Sequence, residues 1–189
     1  TDTANEFSTF AKLYTEEPTD ICLDQLLQEE ISMFDNRDGI EFAYYGMDGA
    51  MVTGPKPQLT RVFVNLMTNS IQAIDIRSQE AVEAGAEPVP GRIVISLRNS
   101  SAEGFYDIVF EDNGPGVPPE NQPKLFTPNF TTKNSGTGLG LVIAKSIVEA
   151  AGGTIRYSRS EDLGGACFTV LLLAEVNLDR TSGEVEMAS

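Results

Sequence analysis

The stretch that begins at Pro57 and runs QLTRVFVNLMTNSIQAI constrains the fold most, because its apolar residues recur at helical spacing and leave one continuous face that needs a partner. Leu59, Val62, Phe63, Leu66 and Ala73 centre on that sector, and Pro57 stands in a first turn, where a missing N–H costs little. The helix is expected to end near Ile74 or just beyond. Arg77 to Gly91 then reads as a polar helix extension running into a loop closed by Pro88 and Pro90. Ile21, Leu23, Leu26, Leu27, Ile31 and Phe34 predict another amphipathic helix after an N-cap at Thr19 or Asp20. Gly140 to Ala151 predicts a further one, stopped by Gly152-Gly153. Phe7, Phe10, Ala11 and Tyr14 look like the tail of a longer helix that ends before Pro18.

Short strands fill the intervals. Ile40 to Gly46 and Ala50 to Thr53 are expected to form a hairpin around Asp48-Gly49. Arg92 to Arg98 and Phe105 to Glu111 alternate as half-buried strands, and Thr154 to Arg159 and Ala166 to Leu172 form a pair joined at Gly164-Gly165. Strands in hairpins separated by long helices imply a mixed sheet covered by helices on one face, with the other face open to water. A chain of 189 residues suits one such α/β core. The polar stretch from Asn177 to Ser189 is expected to be disordered.

Composition narrows the chemistry. With 28 acidic against 13 basic residues the net charge is −15, which disfavours a nucleic-acid partner. A nucleotide stays admissible if Mg²⁺ screens its phosphates and backbone N–H groups supply the local positive field. There is no histidine, so Ser-His-Asp triads, imidazole zinc sites and a phosphohistidine carried by this chain are all excluded. Cys22 and Cys167 have no metal-like spacing and read as free thiols of a reducing compartment. No apolar run approaches the roughly 18 residues of a membrane helix, and the first residues carry no signal pattern, so the expected location is cytoplasmic.

Three constellations carry the functional reading. On the long helix, Asn69 lies roughly 40° and Gln72 roughly −20° around the axis from Asn65, so three carboxamides share one stripe beside the apolar face. Such a stripe offers oxygen ligands to Mg²⁺ and donors to phosphates, although alone it also reads as a solvated polar face. Glu111 to Val117, EDNGPGV, follows directly on a strand. Asp112 is placed to accept a hydrogen bond from an exocyclic amine, and Gly114 and Gly116 let backbone approach a flat ligand, although the same pattern is a tight turn. In FTTKNSGTGLGL, the glycines Gly136, Gly138 and Gly140 bare their N–H groups just where a helix starts near Leu139, and Lys133 adds a mobile charge. The segment is neither a P-loop nor a dinucleotide fingerprint, and its alternative is a flexible linker.

In order and spacing these motifs resemble the catalytic ATP-binding domain of two-component sensor histidine kinases, within the wider group that holds gyrase, the heat-shock chaperone of the same ATP fold and mismatch-repair ATPases. NLMTNSIQAI is similar to the N box, EDNGPGV to the first glycine box, LFTPNF to the phenylalanine box and GTGLGL to the second glycine box. The resemblance implies the Bergerat fold: an α+β, two-layer sandwich with a mixed sheet of about five strands under three main helices. It implies Asn69 as Mg²⁺ ligand and catalytic residue, with Asn65 and Gln72 near the phosphates of ATP. Asp112, Gly114 and Gly116 would form the base pocket, and Lys133, Gly136, Thr137, Gly138, Leu139 and Gly140 the phosphate-covering lid, Lys133 again catalytic.

It divides the chain into 1–18, the end of a dimerisation helix; 19–176, the catalytic domain; and 177–189, the tail. NEFSTFAKL at the start is similar to that helix in the nitrogen-regulation, NtrY-like sensor kinases. Hydrolytic members of the group carry a glutamate four residues before the magnesium asparagine, and Asn65 stands there instead, which favours phosphoryl transfer over hydrolysis. The acceptor histidine would belong to a dimerisation-phosphoacceptor domain outside this chain, and a response regulator would receive the phosphoryl group afterwards. The full-length protein is then expected to be a membrane-anchored homodimer whose catalytic part touches neither membrane nor nucleic acid. A serine/threonine kinase of the same fold, like the anti-sigma factors, and a non-catalytic module sensing ATP or ADP are the alternatives.

Overall fold

A five-stranded sheet organises the molecule, and the apolar face of the long helix packs on it. The computed structural model describes residues 17–34, 37–128, 130 and 138–175. In chain order the elements are β1 (Thr19–Cys22), α1 (Leu23–Ser32), β2 (Ile40–Tyr45), β3 (Met51–Gly54), α2 (Lys56–Glu83), β4 (Gly91–Asn99), β5 (Phe105–Asp112), a short 3-10 turn (Gln122–Lys124), α3 (Gly140–Ala150), β6 (Thr154–Arg159) and β7 (Ala166–Leu173). Strands β2-β4-β5-β7-β6 lie side by side, with β2 and β4 parallel and every other pair antiparallel. This is the expected mixed five-stranded sheet under three helices.

The helices cover one face. Val62, Phe63, Leu66 and Met67 of α2 are fully buried with Ile93 and Ile95 of β4 and Ile108 and Phe110 of β5, the rings of Phe63 and Phe110 lying 5.8 Å apart. Ile143, Ala144, Ile147 and Val148 of α3 join the same core with Ile155, Phe168 and Val170. On β4 the burial alternates, Ile93, Ile95 and Leu97 inward against Arg92 and Arg98 exposed, as a sheet with one wet face requires. On that outer face Arg98 meets Asp107 of β5 at 3.8 Å.

Two local expectations fail. Thr19–Cys22 is a strand, paired antiparallel with Met51–Gly54 in a separate two-stranded sheet, so the helix begins only at Leu23. The apolar pair Ile21 and Leu23 satisfies both a period of two and the start of a helix, and the free edge of β3 decides between them. Nor do the segments around Asp48-Gly49 form a hairpin. Gly49 does turn, at φ 73°, but β2 pairs with β4 in the main sheet while β3 pairs with β1. The long helix runs without a break to Glu83, where Ala84 caps it, so the extension expected from Arg77 is helical to that point, and Arg77 itself donates to the carbonyls of Asn113 and Val89. The expected helix over Thr1 to Tyr14, NEFSTFAKL, and the tail Asn177 to Ser189 lie outside the described residues.

Candidate functional site

Helix α2 forms the common wall of the site. Near its middle the carboxamide oxygen of Asn65 lies directly against Gly140, the first residue of α3, so closely that a β-carbon on Gly140 would overlap the Asn65 side chain. Asn65 Nδ2 is buried and has no hydrogen-bond partner. Leu139 caps α3 without a side-chain hydrogen bond, so Asn65 offers an unsatisfied donor beside a helix N-terminus. Farther along α2, Gly114 packs on the helix, and a β-carbon there would come within 2.9 Å of Ala73 Cβ and 2.9 Å of Asp112 Oδ1. Only glycine allows that approach. Eight residues separate Asn65 from Ala73, about 12 Å along the axis.

Asp112 ends β5 and is 1% exposed. Its Oδ1 accepts from the backbone N–H groups of Gly114 at 2.9 Å and Ala166 at 3.1 Å, and its own carbonyl accepts from Gly165 N–H at 3.1 Å. Burial pushes the carboxyl above the usual aspartate range, opposed by the Ala166 N–H, the Ser70 hydroxyl, the Gly114 N–H and the charge of Arg77. The loop supplying Gly165 is itself held: Ser160 Oγ donates to Glu111 Oε1 at 2.8 Å and accepts from Leu163 N–H at 3.0 Å. Gly116, at φ 72°, lies against Arg159, and the next residue, Val117, donates its N–H to the Tyr157 hydroxyl at 2.9 Å.

The structure places Gly140 against Asn65 and Gly114 against Ala73 on α2; Asn69, half-buried, and Gln72, exposed, lie on the same helix, Gly116 follows two residues after Gly114, and Gly138 and Leu139 immediately precede α3. Lys133, Gly136 and Thr137 lie outside the described residues. The roles of two groups of residues escaped the sequence reading. Ala73, placed by periodicity on the apolar face, and Arg77, placed in the helix extension, form with Ser70 a second stripe of α2 at i, i+3 and i+7 spacing that borders the Asp112–Gly114 turn, and that spacing is legible although their joint role is not. Tyr157 comes from β6 and Ala166 from β7, with Gly165 in the turn between them, and nothing local marks these residues as neighbours of Asp112 to Val117.

A cavity of about 210 Å³ between Thr53, Ala151, Leu173, Ala174 and Glu175 shares no residue with this wall. No group of three or more His, Cys, Asp or Glu side chains among the described residues can hold a metal ion. A divalent cation would rest on carboxamide oxygen and on oxygens of a bound ligand, a hard donor set of the kind that suits Mg²⁺ or Mn²⁺. The orphaned Asn65 donor and the buried Asp112 acceptor fit a ligand with anionic oxygens at one end and hydrogen-bond donors at the other. No described helix is long and apolar enough to cross a membrane.

Comparison with known proteins identifies the family and the fold. Residues 54–176 match the family described as histidine kinase-, DNA gyrase B- and HSP90-like ATPase. The sensor histidine kinase ZraS of Salmonella typhimurium is 37% identical over 115 residues, 61% of this chain and 22% of that protein. The C4-dicarboxylate transport sensor protein DctB of Rhizobium meliloti is 35% identical over 125 residues, 66% of this chain and 18% of that one. The chain thus spans about a fifth of the length of these curated relatives. Among solved structures, the nucleotide-free catalytic domain of histidine kinase ThkA superposes with a TM-score of 0.69 at 27% identity, covering 84% of this chain and 96% of that domain.

Proposed function

The chain belongs to the family of histidine kinase-, DNA gyrase B- and HSP90-like ATPases, and on that premise we propose that it is the ATP-binding catalytic domain of a sensor histidine kinase. Residues 19–176 form that domain, 1–18 end the dimerisation helix, and 177–189 are a polar tail. The observation that carries the reading is the double contact of α2, with Gly140 through Asn65 and with Gly114 through Ala73, which sets an anion-binding helix end and a buried aspartate along one wall.

Each residue has a role in this reading. Asp112 accepts the exocyclic amine of adenine, while its two backbone hydrogen bonds hold the carboxylate in place. Gly114 and Gly116 admit the base. Asn65 donates to phosphate oxygen through Nδ2, Gln72 assists, and Asn69 offers its carboxamide oxygen to the metal. Gly136, Thr137, Gly138, Leu139 and Gly140 wrap the phosphates with backbone N–H groups, and Lys133 reaches the terminal one. Asn69 would hold Mg²⁺, which when bound would supply neutralisation of phosphate charge.

Asn65 also bears on the reaction. A carboxamide cannot take a proton from water near neutral pH, so the site positions the γ-phosphoryl group for in-line transfer to a better nucleophile. With no histidine in the chain, the acceptor imidazole belongs to a dimerisation-phosphoacceptor domain of the same, longer protein, a membrane-anchored homodimer, from which a response-regulator aspartate later takes the group. Incubation with labelled ATP, Mg²⁺ and a separately made dimerisation domain tests this. Acid-labile, base-stable label on that domain is the expected outcome. Acid-stable label on a serine-bearing partner, or ATP and ADP binding with no transfer, would replace the proposal.

A further inference from the structure

Arg77 lies one turn beyond the carboxamide stripe and does something none of the motif residues does. Its Nη1 donates to the carbonyl of Asn113, and its Nη2 to the carbonyls of Val89 at 3.0 Å and Pro90 at 3.4 Å. Asn113 is gripped from the other side as well. Its Nδ2 donates to the Pro90 carbonyl at 2.9 Å, its Oδ1 accepts from Arg92 N–H at 2.8 Å, and its own N–H donates to the Arg92 carbonyl at 3.1 Å. Asn113 stands between Asp112 and Gly114, so whatever holds its peptide also sets the aspartate before it and the amide after it. The guanidinium is half-buried, and its Nε is buried without a partner, so its two terminal nitrogens make these bonds. A planar fork holds three carbonyls from two segments in one fixed geometry, whereas an ammonium on a flexible stem presents its donors from a single point with no such preorganisation.

We propose that Arg77 determines the base specificity of the site as a positioning residue. By clamping the Asn113 carbonyl to the 84–90 loop it holds the Asp112 carboxylate in the one register that accepts from a purine bearing an exocyclic amine. This rests on the nucleotide reading above and extends it to a residue outside the four motifs. Arg77 itself need not touch the nucleotide. Its charge also opposes protonation of Asp112, which favours the acceptor form.

The test compares calorimetric binding of Mg-ATP, Mg-ITP and Mg-tripolyphosphate to the whole chain and to Arg77→Gln and Arg77→Lys. Inosine carries a carbonyl in place of the exocyclic amine, so the favourable hydrogen bond to Asp112 is confined to the ATP arm. Arg77→Gln is expected to lose about tenfold in ATP affinity while ITP and tripolyphosphate bind within about twofold of wild type. Arg77→Lys, which keeps the charge and loses the fork, is expected at an intermediate ATP/ITP ratio, and it carries the test if the glutamine variant does not fold. A folded variant that keeps the wild-type ATP/ITP ratio, or weakens all three ligands equally, overturns the role of Arg77 and leaves the nucleotide reading intact. A wild-type chain that binds ATP no better than ITP overturns that reading and this inference with it.

Discussion

Replacing Asp112 with asparagine isolates one interaction, because the change is isosteric and the structure says which bonds survive. The carbonyl oxygen of asparagine can still accept from Gly114 and Ala166 N–H, the two bonds at 2.9 and 3.1 Å that fix the side chain. The acceptor left for a ligand becomes an NH₂ donor, which cannot pair with the amine of adenine. A hydrogen bond to a charged group contributes about 1.5–3 kcal/mol, so adenine nucleotides should bind roughly 10- to 150-fold more weakly. Stability should change little or rise slightly, since a group 1% exposed sheds its charge while keeping its backbone partners. Calorimetric titration with Mg-ATP and Mg-ITP, beside thermal melting, separates the two effects. The reasoning is refuted if ATP affinity is unchanged, or if ITP loses as much as ATP.

Three further outcomes follow from the same geometry. Burial raises the Asp112 carboxyl above the 3.8 of an ordinary aspartate, so in the window above 3.8 the folded chain binds a proton that the unfolded chain does not. This group's contribution to stability therefore falls as pH rises through that window, while ATP affinity rises with ionisation of the carboxylate. Affinity measured against pH should show that inflection in the wild type and lose it in Asp112→Asn. Gly114→Ala places a methyl 2.9 Å from Ala73 Cβ and should cost about 1–3 kcal/mol, recovered in part by adding Ala73→Gly; a single variant that melts like wild type would contradict the packing. Asn69→Ala should abolish Mg²⁺-dependent transfer to a dimerisation domain while leaving the melting temperature within a few degrees, and undiminished transfer would remove Asn69 as the metal ligand.

Much of the site was legible because it is local. The stripe of Asn65, Asn69 and Gln72 needs only 3.6 residues per turn, and the Asp112-x-Gly-x-Gly turn needs only a strand to precede it. The spacing of Ser70, Ala73 and Arg77 was equally legible and their joint role passed over, because small and cationic residues look like an ordinary helix margin until the turn that packs on them is known.

Periodicity along the chain determined that three helices form, the alternation of β4, and which face of α2 had to be buried, since each depends on neighbours a few residues apart; the alternation expected of β5 gives way to three consecutive buried residues, Ile108, Val109 and Phe110. Tertiary structure alone decided that Thr19–Cys22 joins β3 as a strand, that β2 lies parallel to β4, and that Ala166, 54 residues onward, donates to Asp112. The physical reason is that backbone N–H and C=O groups carry no sequence signature. Which strand edge or loop satisfies them is settled only when the apolar faces have packed and brought distant segments within hydrogen-bonding distance.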